Sequence, residues 1–289
     1  MKKVSIIAVL LIFALLGATT LTACGPTETR TNTFVVGASP EVEVEVGNGK
    51  VSLAVGEAGE INVEAVLRNP DSIDYKVYKE GNKVIVEAET RFTSRADVTL
   101  TVPKNTGFGV VIGNGNADVV DIEASGGVVC GNGSLLLEGV KGDVSGSIGN
   151  GGITANDITG SCTFTIGNGN GTVSNVTGSL AMNTGNGTIT VRNSNGSFGL
   201  NSGNGQIRFQ GELTPGSKNN MTAGNGAVTA ELTGTPSVAL DLEIQQRGKI
   251  SSSSAVKVIS RSEYRLRGAI GDGEAELTIR TGTGNITVK

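Results

Sequence analysis

The sequence predicts an all-β fold, a single-stranded β-helix (a solenoid) with about 18 residues per coil. The first observation is that Gly-Asn-Gly recurs at a fixed spacing of that length, which is typical of a solenoid in which each period forms one coil. The second is that apolar residues alternate by two within each period, as in strands. The third is composition: 44 of the 289 residues are glycine and none is histidine.

The first segment along the chain predicts export. An apolar run at 4–16 is too short to span a bilayer as a helix and has the length of a signal-peptide core. It is followed by Leu21-Thr22-Ala23-Cys24-Gly25, which resembles the bacterial lipobox. The resemblance implies that residues 1–23 are a lipoprotein signal peptide and that Cys24 carries lipid. We therefore expect an exported protein that contacts the membrane through lipid on Cys24, followed by a lipidated, flexible tether at 24–33.

The sequence does not decide which membrane carries the lipid anchor. The outer face of the cytoplasmic membrane is one location, and the outer membrane or cell surface is the other.

Residues 34–104 predict an N-terminal antiparallel β segment that caps the solenoid. Short alternating runs at 73–78 and 83–88 are joined by Glu80-Gly81-Asn82, which is typical of a β-hairpin. The period of 18 is not visible in this segment, apart from one early copy of the motif at Gly47-Asn48-Gly49. We expect the β-helical repeat region to occupy 105–289.

The repeat region fixes which residues face the interior. Counting the first glycine of each motif as position 1, positions 5, 7, 10, 14 and 16 are mostly apolar, and we expect them to fill a narrow core. Gly146 is expected to leave room for the neighbouring Phe164. The winding is expected to be right-handed. The motif begins at Gly113, Gly131, Gly149, Gly167, Gly185, Gly203 and Gly224.

The motif itself predicts a tight turn, with a positive φ at both glycines. Because coils stack about 4.8 Å apart, the asparagine side chains could form a hydrogen-bonded ladder along one edge. The sequence favours a structural role for this ladder over a row of ligand-binding groups. Its members are Asn114, Asn132, Asn150, Asn168, Asn186, Asn204 and Asn225.

The sequence offers no catalytic constellation, so no catalytic residue, metal site or cofactor is predicted. Without histidine, the common general base and imidazole metal ligands are missing. Asp121 and Asp157 share one column two coils apart, but a turn explains aspartate there. A calcium-binding nonapeptide roll is rejected, because the positions that would need aspartate are mostly apolar.

The net charge of the chain bears on its partners, and the spacing of its cysteines bears on whether they form a disulfide. Loss of residues 1–23 leaves 21 basic against 27 acidic residues, a charge of −6, which argues against nucleic acid. Cys130 and Cys162 lie nearly two coils apart, which is too far for a disulfide, and they are expected to be buried free thiols. The basic stretch at 245–267 is expected to be a solvated strand face, with contact to lipid headgroups or an anionic wall polymer as the alternative.

The serial Gly-Asn-Gly coils are preceded by Val102-Pro103-Lys104 and followed by Gly271-Asp272-Gly273 and by residues 277–282. Together they resemble a family of bacterial β-strand-repeat proteins, labelled as candidate adhesins or domains of unknown function and similar to the head domain called GIN. The resemblance implies a β-helical, non-enzymatic envelope protein, and some relatives are linked to envelope stress signalling.

We therefore expect a lipid-anchored protein whose solenoid is a binding, adhesion or scaffold surface for an envelope glycan, another surface or a protein ligand. Three alternatives stay open: a polysaccharide-active enzyme that uses Asp121 or Asp157, an envelope-stress sensing module, and self-assembly through an uncapped end.

Overall fold

The computed structural model describes residues 25–253 and 255–289, and over these residues the chain is all-β, as predicted. The predicted signal peptide and Cys24 lie outside the described residues. A short 3₁₀ turn at Pro70–Ser72 joins the third and fourth strands. The strands are β1 (Thr27–Val35), β2 (Glu41–Val55), β3 (Glu60–Arg68), β4 (Ile73–Glu80), β5 (Lys83–Thr90), β6 (Arg95–Val102), β7 (Gly107–Val120), β8 (Gly126–Glu138), β9 (Val144–Asn168), β10 (Gly171–Asn186), β11 (Ile189–Asn204), β12 (Ile207–Leu213), β13 (Lys218–Asn225), β14 (Val228–Leu232), β15 (Val238–Arg247), β16 (Ile250–Ser252), β17 (Lys257–Arg261), β18 (Arg265–Ile270), β19 (Ala275–Thr283) and β20 (Ile286–Val288).

Strands β7 to β11 stack in parallel with a shift of 18 residues, so that Thr172 pairs with Thr154 on one side and Thr190 on the other. Each coil has two long sides and one short side. In the coil that starts at Val144, residues 144–148 form what we call the front face and residues 151–156 the back face. The Gly-Asn-Gly motif turns the chain between them, and we call that corner the Gly-Asn-Gly edge.

The front and back faces enclose one narrow core. The rings of Phe198 on the front face and Phe209 on the back face lie 4.7 Å apart, centroid to centroid. The predicted complement of small and large residues is present: a Cβ on Gly146 would come within 3.0 Å of Phe164 Cδ1 and 2.8 Å of Leu135 Cδ2. Interior space is therefore filled by side chains, as expected for a packed core.

One end of the stack, which we call the β1 end, is out of chain order. β2 lies parallel to β7, with Asn48 opposite Asn114 although 66 residues separate them. β5 and β6 lie parallel to β2 on its other side. The antiparallel strands β4 and β3 cover β5 and β6, and β1 covers β3. A hairpin with Gly81 at φ 59° joins β4 to β5, which confirms that part of the prediction.

At the opposite end, which we call the β17 end, the strands also stack out of chain order. β19 and β20 stack on β13 and β14, while β15 and β16, which come earlier in the chain, stack outside β19 and β20. β18 and β17 complete the front face as antiparallel strands. With rungs about 4.8 Å apart, the front face is on the order of 60 Å long.

The structure corrects two boundaries. Residues 27–33 belong to β1 instead of a flexible tether, because alternating threonines favour extended backbone and the edge of β3 supplies hydrogen-bond partners. The boundary at 104 is also misplaced, since β2 is a parallel rung of the repeat stack. The reason is its own Gly47-Asn48-Gly49 motif, flanked on both sides by alternating buried residues.

Candidate binding surfaces

The asparagine column forms a continuous ladder of side-chain amides on the Gly-Asn-Gly edge. Each Nδ2 donates to the Oδ1 of the preceding coil, at 2.7 to 2.9 Å. Asn48 extends the ladder beyond the predicted set, and its Nδ2 donates to Thr90 Oγ1 at 2.7 Å. The amides therefore bond mainly to one another. The full set is Asn48, Asn114, Asn132, Asn150, Asn168, Asn186, Asn204 and Asn225.

The two glycines of the motif have different roles, which corrects the expectation of a positive φ at both. The third-position glycine has a positive φ from Gly115 to Gly205, for example 141° at Gly151, whereas Gly226 does not. At the first position, Gly149 is required by space, because a Cβ there would lie 2.5 Å from the carbonyl oxygen of Gly131. Close backbone approach between coils therefore holds the asparagines in register.

The back face ends at a second corner, which we define by the column that holds Asp121 and Asp157, and a shallow groove of about 540 Å³ lies beside it. Both residues have a left-handed backbone, with φ 59° and 56°, and Asp157 Oδ1 accepts a hydrogen bond from Asn175 Nδ2 at 2.9 Å. Gly139 occupies the intervening coil. The turn geometry accounts for aspartate at both places.

Glu123 also lines this groove, and two lysines hold its carboxylate in the ionised form. Lys104 Nζ lies 2.8 Å from Glu123 Oε2 and Lys141 Nζ lies 2.9 Å from Glu123 Oε1. Hydrogen bonds from the two lysines lower the pKa of Glu123 to about 2. A carboxylate held ionised in this way is a poor general acid at neutral pH.

A second shallow groove, of about 510 Å³, crosses the front face near the β1 end. Val111 and Val129 border it with exposed side chains, and Glu41, Glu43 and Lys83 supply charge. Lys83 Nζ lies 3.4 Å from a Glu41 oxygen and 3.3 Å from a Glu43 oxygen, so one lysine offsets part of the charge of the two carboxylates. Further along the front face, the outward positions are small and uncharged, as at Ser145, Thr163, Ala181, Gly199 and Asn220.

The basic segment at 245–267 divides into paired and exposed parts. Arg265 and Arg267 share Asp241, at 2.9 and 3.5 Å. Lys257 and Arg261 lie on β17, whose residues are all exposed. Two consecutive apolar side chains lie between them, Val258 at 49% and Ile259 at 78% exposure. This combination lies at the β17 end.

Cys130 and Cys162 are buried free thiols, as predicted. Burial raises the pKa of the Cys162 thiol to about 12 and also raises the pKa of Cys130. Because the thiolate is the reactive form, neither cysteine is a candidate nucleophile.

Phe92 is a surface feature that the periodicity could not identify. Its side chain is 92% exposed at a turn between β5 and β6, the highest exposure among the large apolar residues of the described chain. The available signal is local: one aromatic residue within Arg91-Phe92-Thr93-Ser94-Arg95, a segment that is otherwise polar.

Within the described residues, no helix has the length and apolar character needed to cross a membrane. No curated protein matches the chain. Several solved structures are similar to the chain, with TM-scores of 0.26 to 0.36 for three of them. A candidate lipid-binding protein from Parabacteroides distasonis is 13% identical, covering 90% of this chain and 97% of its own, with a TM-score of 0.36.

A candidate cell adhesion protein from Clostridium sporogenes is 13% identical, with 91% and 99% coverage and a TM-score of 0.26. A candidate adhesin from Bacteroides fragilis is 11% identical, with 91% and 97% coverage and a TM-score of 0.27. The model of the Toastrack family, DUF4097, matches residues 40–289, which include β2 and every later strand. The chain belongs to the Toastrack DUF4097 family.

Proposed function

We propose that this chain is a lipid-anchored protein of the bacterial envelope whose solenoid holds a non-enzymatic binding or adhesion surface away from the membrane. The observation that carries the proposal is the position of the two ends. Gly25, which directly follows the lipobox Cys24, lies at the β1 end, and β17 lies at the other end of a stack on the order of 60 Å long.

The β17 end has the chemistry of a binding tip. Val258 and Ile259 offer apolar contact area, and the basic side chains of Lys257 and Arg261 attract anions. Exposed apolar groups bordered by charge are typical of interaction sites. An anionic glycan of the envelope or of another surface is the partner that this chemistry favours.

Charge reversal tests the tip. The double variant Lys257→Glu, Arg261→Glu should lose most of its retention on beads that carry an anionic polysaccharide, and the retention of the parent should fall as salt rises, because exposed charges are screened. The matched control is Lys76→Glu, Lys79→Glu on β4 at the β1 end. Equal retention of the tip variant and the parent would show that the tip is not the binding site.

The anchor is tested separately. Cells that express the full chain should incorporate a labelled fatty acid into the parent and not into Cys24→Ala. Incorporation into both proteins, or into neither, would contradict lipidation of Cys24.

The non-enzymatic part of the proposal is supported by the carboxylates of the second corner, which serve turns and ion pairs. A panel of polysaccharides should therefore be left intact by the purified chain. Hydrolysis that Asp121→Asn or Asp157→Asn abolishes would establish the enzymatic alternative instead. Self-assembly through β17 would appear in light scattering as a mass above that of the monomer.

A further inference from the structure

The turn at residues 91–94 presents Phe92 to solvent in an unfavourable backbone conformation. Phe92 has φ 54°, in the left-handed region. Every other non-glycine residue with a positive φ in the described chain is Ser, Asn or Asp, whose short polar side chains tolerate this region. Phe92 therefore combines a strained backbone with an aromatic ring in water, two features that are unfavourable for a protein in isolation.

The turn is held firmly by Ser94. The buried Ser94 Oγ accepts a hydrogen bond from the Arg91 N–H at 2.9 Å, and the Ser94 hydroxyl donates to the Arg91 carbonyl at 2.7 Å. The Ser94 N–H donates to the same carbonyl at 3.1 Å. The exposure of Phe92 is thus imposed by a braced backbone.

This turn lies at the corner where the described chain begins. The Arg91 N–H donates to the Ser72 carbonyl at 3.0 Å, the Ser72 N–H to the Asn69 carbonyl at 3.0 Å, and the Asn69 N–H to the Pro26 carbonyl at 2.8 Å. Gly25 also packs against Asn69. Three backbone hydrogen bonds therefore connect the Phe92 turn to Pro26, the second residue after Cys24.

We propose that this corner rests on the phospholipid bilayer and that the Phe92 ring inserts at the membrane interface. The inference depends on the proposed lipidation of Cys24, which places the corner within reach of the headgroups. Aromatic residues are favoured at that depth, where an apolar ring can leave water. The acyl chain supplies the anchor, and Phe92 fixes how the solenoid stands on it.

Charge at this corner is balanced. Arg68 and Arg95 share Asp97, at 3.7 and 2.7 Å. Arg91 follows Glu89 by two residues, and its N–H donates to the carbonyl of Ser72, the residue after Asp71. Insertion should therefore be insensitive to salt and should occur on zwitterionic phosphatidylcholine. This distinguishes the corner from the basic β17 end.

Tryptophan fluorescence tests the placement directly, because the chain contains no tryptophan. The acylated mature chain carrying Phe92→Trp is reconstituted into phosphatidylcholine vesicles with and without brominated acyl chains. Its emission should shift to the blue relative to the unacylated chain in buffer, and brominated lipid should quench it at least twofold.

Two other highly exposed apolar positions serve as controls. Val35→Trp replaces a 71% exposed side chain on β1, at the same end but at the opposite edge. Ile259→Trp replaces a 78% exposed side chain at the β17 end. Neither should be quenched by brominated lipid. Equal quenching of Phe92→Trp and Val35→Trp would contradict corner contact in favour of the whole end lying on the membrane.

The failures of the two proposals are distinguishable. Cys24 acylated and Phe92→Trp unquenched would overturn the placement and leave the anchor intact. Cys24 unlabelled would overturn both. A blue shift of the Phe92→Trp emission that appears only after a second protein is added, without quenching by brominated lipid, would assign the ring to a protein partner and overturn the membrane contact.

Discussion

At the scale of single residues, the third glycine of the edge motif is required by geometry twice over in the coils from Gly115 to Gly205. Gly151 has a positive φ, and a Cβ there would overlap the carbonyl oxygen of Gly133 in the neighbouring coil. A glycine on the front face can be free of this constraint: a Cβ on Gly199 would meet nothing within 4 Å. The identity of the residue is thus set by how closely two coils approach.

We expect Gly151→Ala to lower the free energy of unfolding by about 3 kcal/mol, because it adds strain and overlap together. Gly199→Ala is the control and should change it by less than about 0.5 kcal/mol. Urea unfolding followed by circular dichroism measures both. A small effect at Gly151 would contradict the close approach of the coils.

Glu123 should make stability depend on pH. Its pKa falls from 4.5 to about 2 in the folded chain through hydrogen bonds from Lys104 and Lys141. The ion pairs therefore stabilise the fold above pH 4.5, and this contribution is lost as the pH falls from 4.5 to about 2.

Glu123→Gln should be less stable than the parent at pH 7 and equal to it near pH 2. The urea midpoint measured across this range tests the expectation, with Glu138→Gln as the control on the back face. Parallel pH profiles for the parent and Glu123→Gln would contradict it.

At the scale of elements, the asparagine ladder joins coils that contact only their neighbours. Asn150 donates to Asn132 at 2.8 Å and accepts from Asn168 at 2.9 Å, so one substitution breaks two links. Asn150→Ala should destabilise the fold by about 1 kcal/mol, since exposed hydrogen bonds contribute modestly. Asn156→Ala, on the back face of the same coil, is the control. Thermal unfolding measures the difference, and equal melting temperatures would mean that the ladder adds no stability.

The elements also show what the sequence can predict. The inward columns follow from periodicity, because each coil repeats the environment of the one before it; Val128, Ile153 and Val173 are all buried as predicted. The order in which the strands stack at the two ends does not follow from periodicity. The pattern of β2 suits any neighbouring coil, and its choice of β5, β6 and β7 depends on contacts between segments distant in sequence. Phe92 belongs to no column, so periodicity carries no information about it.

At the scale of the whole molecule, the solenoid should behave as a set of interchangeable coils, since stability in such repeats is a sum over neighbouring units. Deletion of residues 149–166 joins Ile148 to Gly167 and removes one full period. We expect this variant to fold cooperatively with a strand content close to that of the parent. Deletion of half a period, residues 149–157, should prevent folding, because it places outward side chains in the core. Circular dichroism and thermal melts distinguish the two, and loss of structure in both would contradict the repeat model.

Because the strands at the β17 end stack out of chain order, they must assemble in a different order from that in which they are synthesised. β15 and β16 leave the ribosome before β19 and β20, yet β16 stacks on β20 and β15 stacks on β19, with β18, also later in the chain, on its other side. Residues 238–252 must therefore wait, with their apolar sides uncovered, until 275–288 have been made. The delay suits the export that we propose, since a molecule whose last layer is still open is competent for translocation and can close after it has crossed.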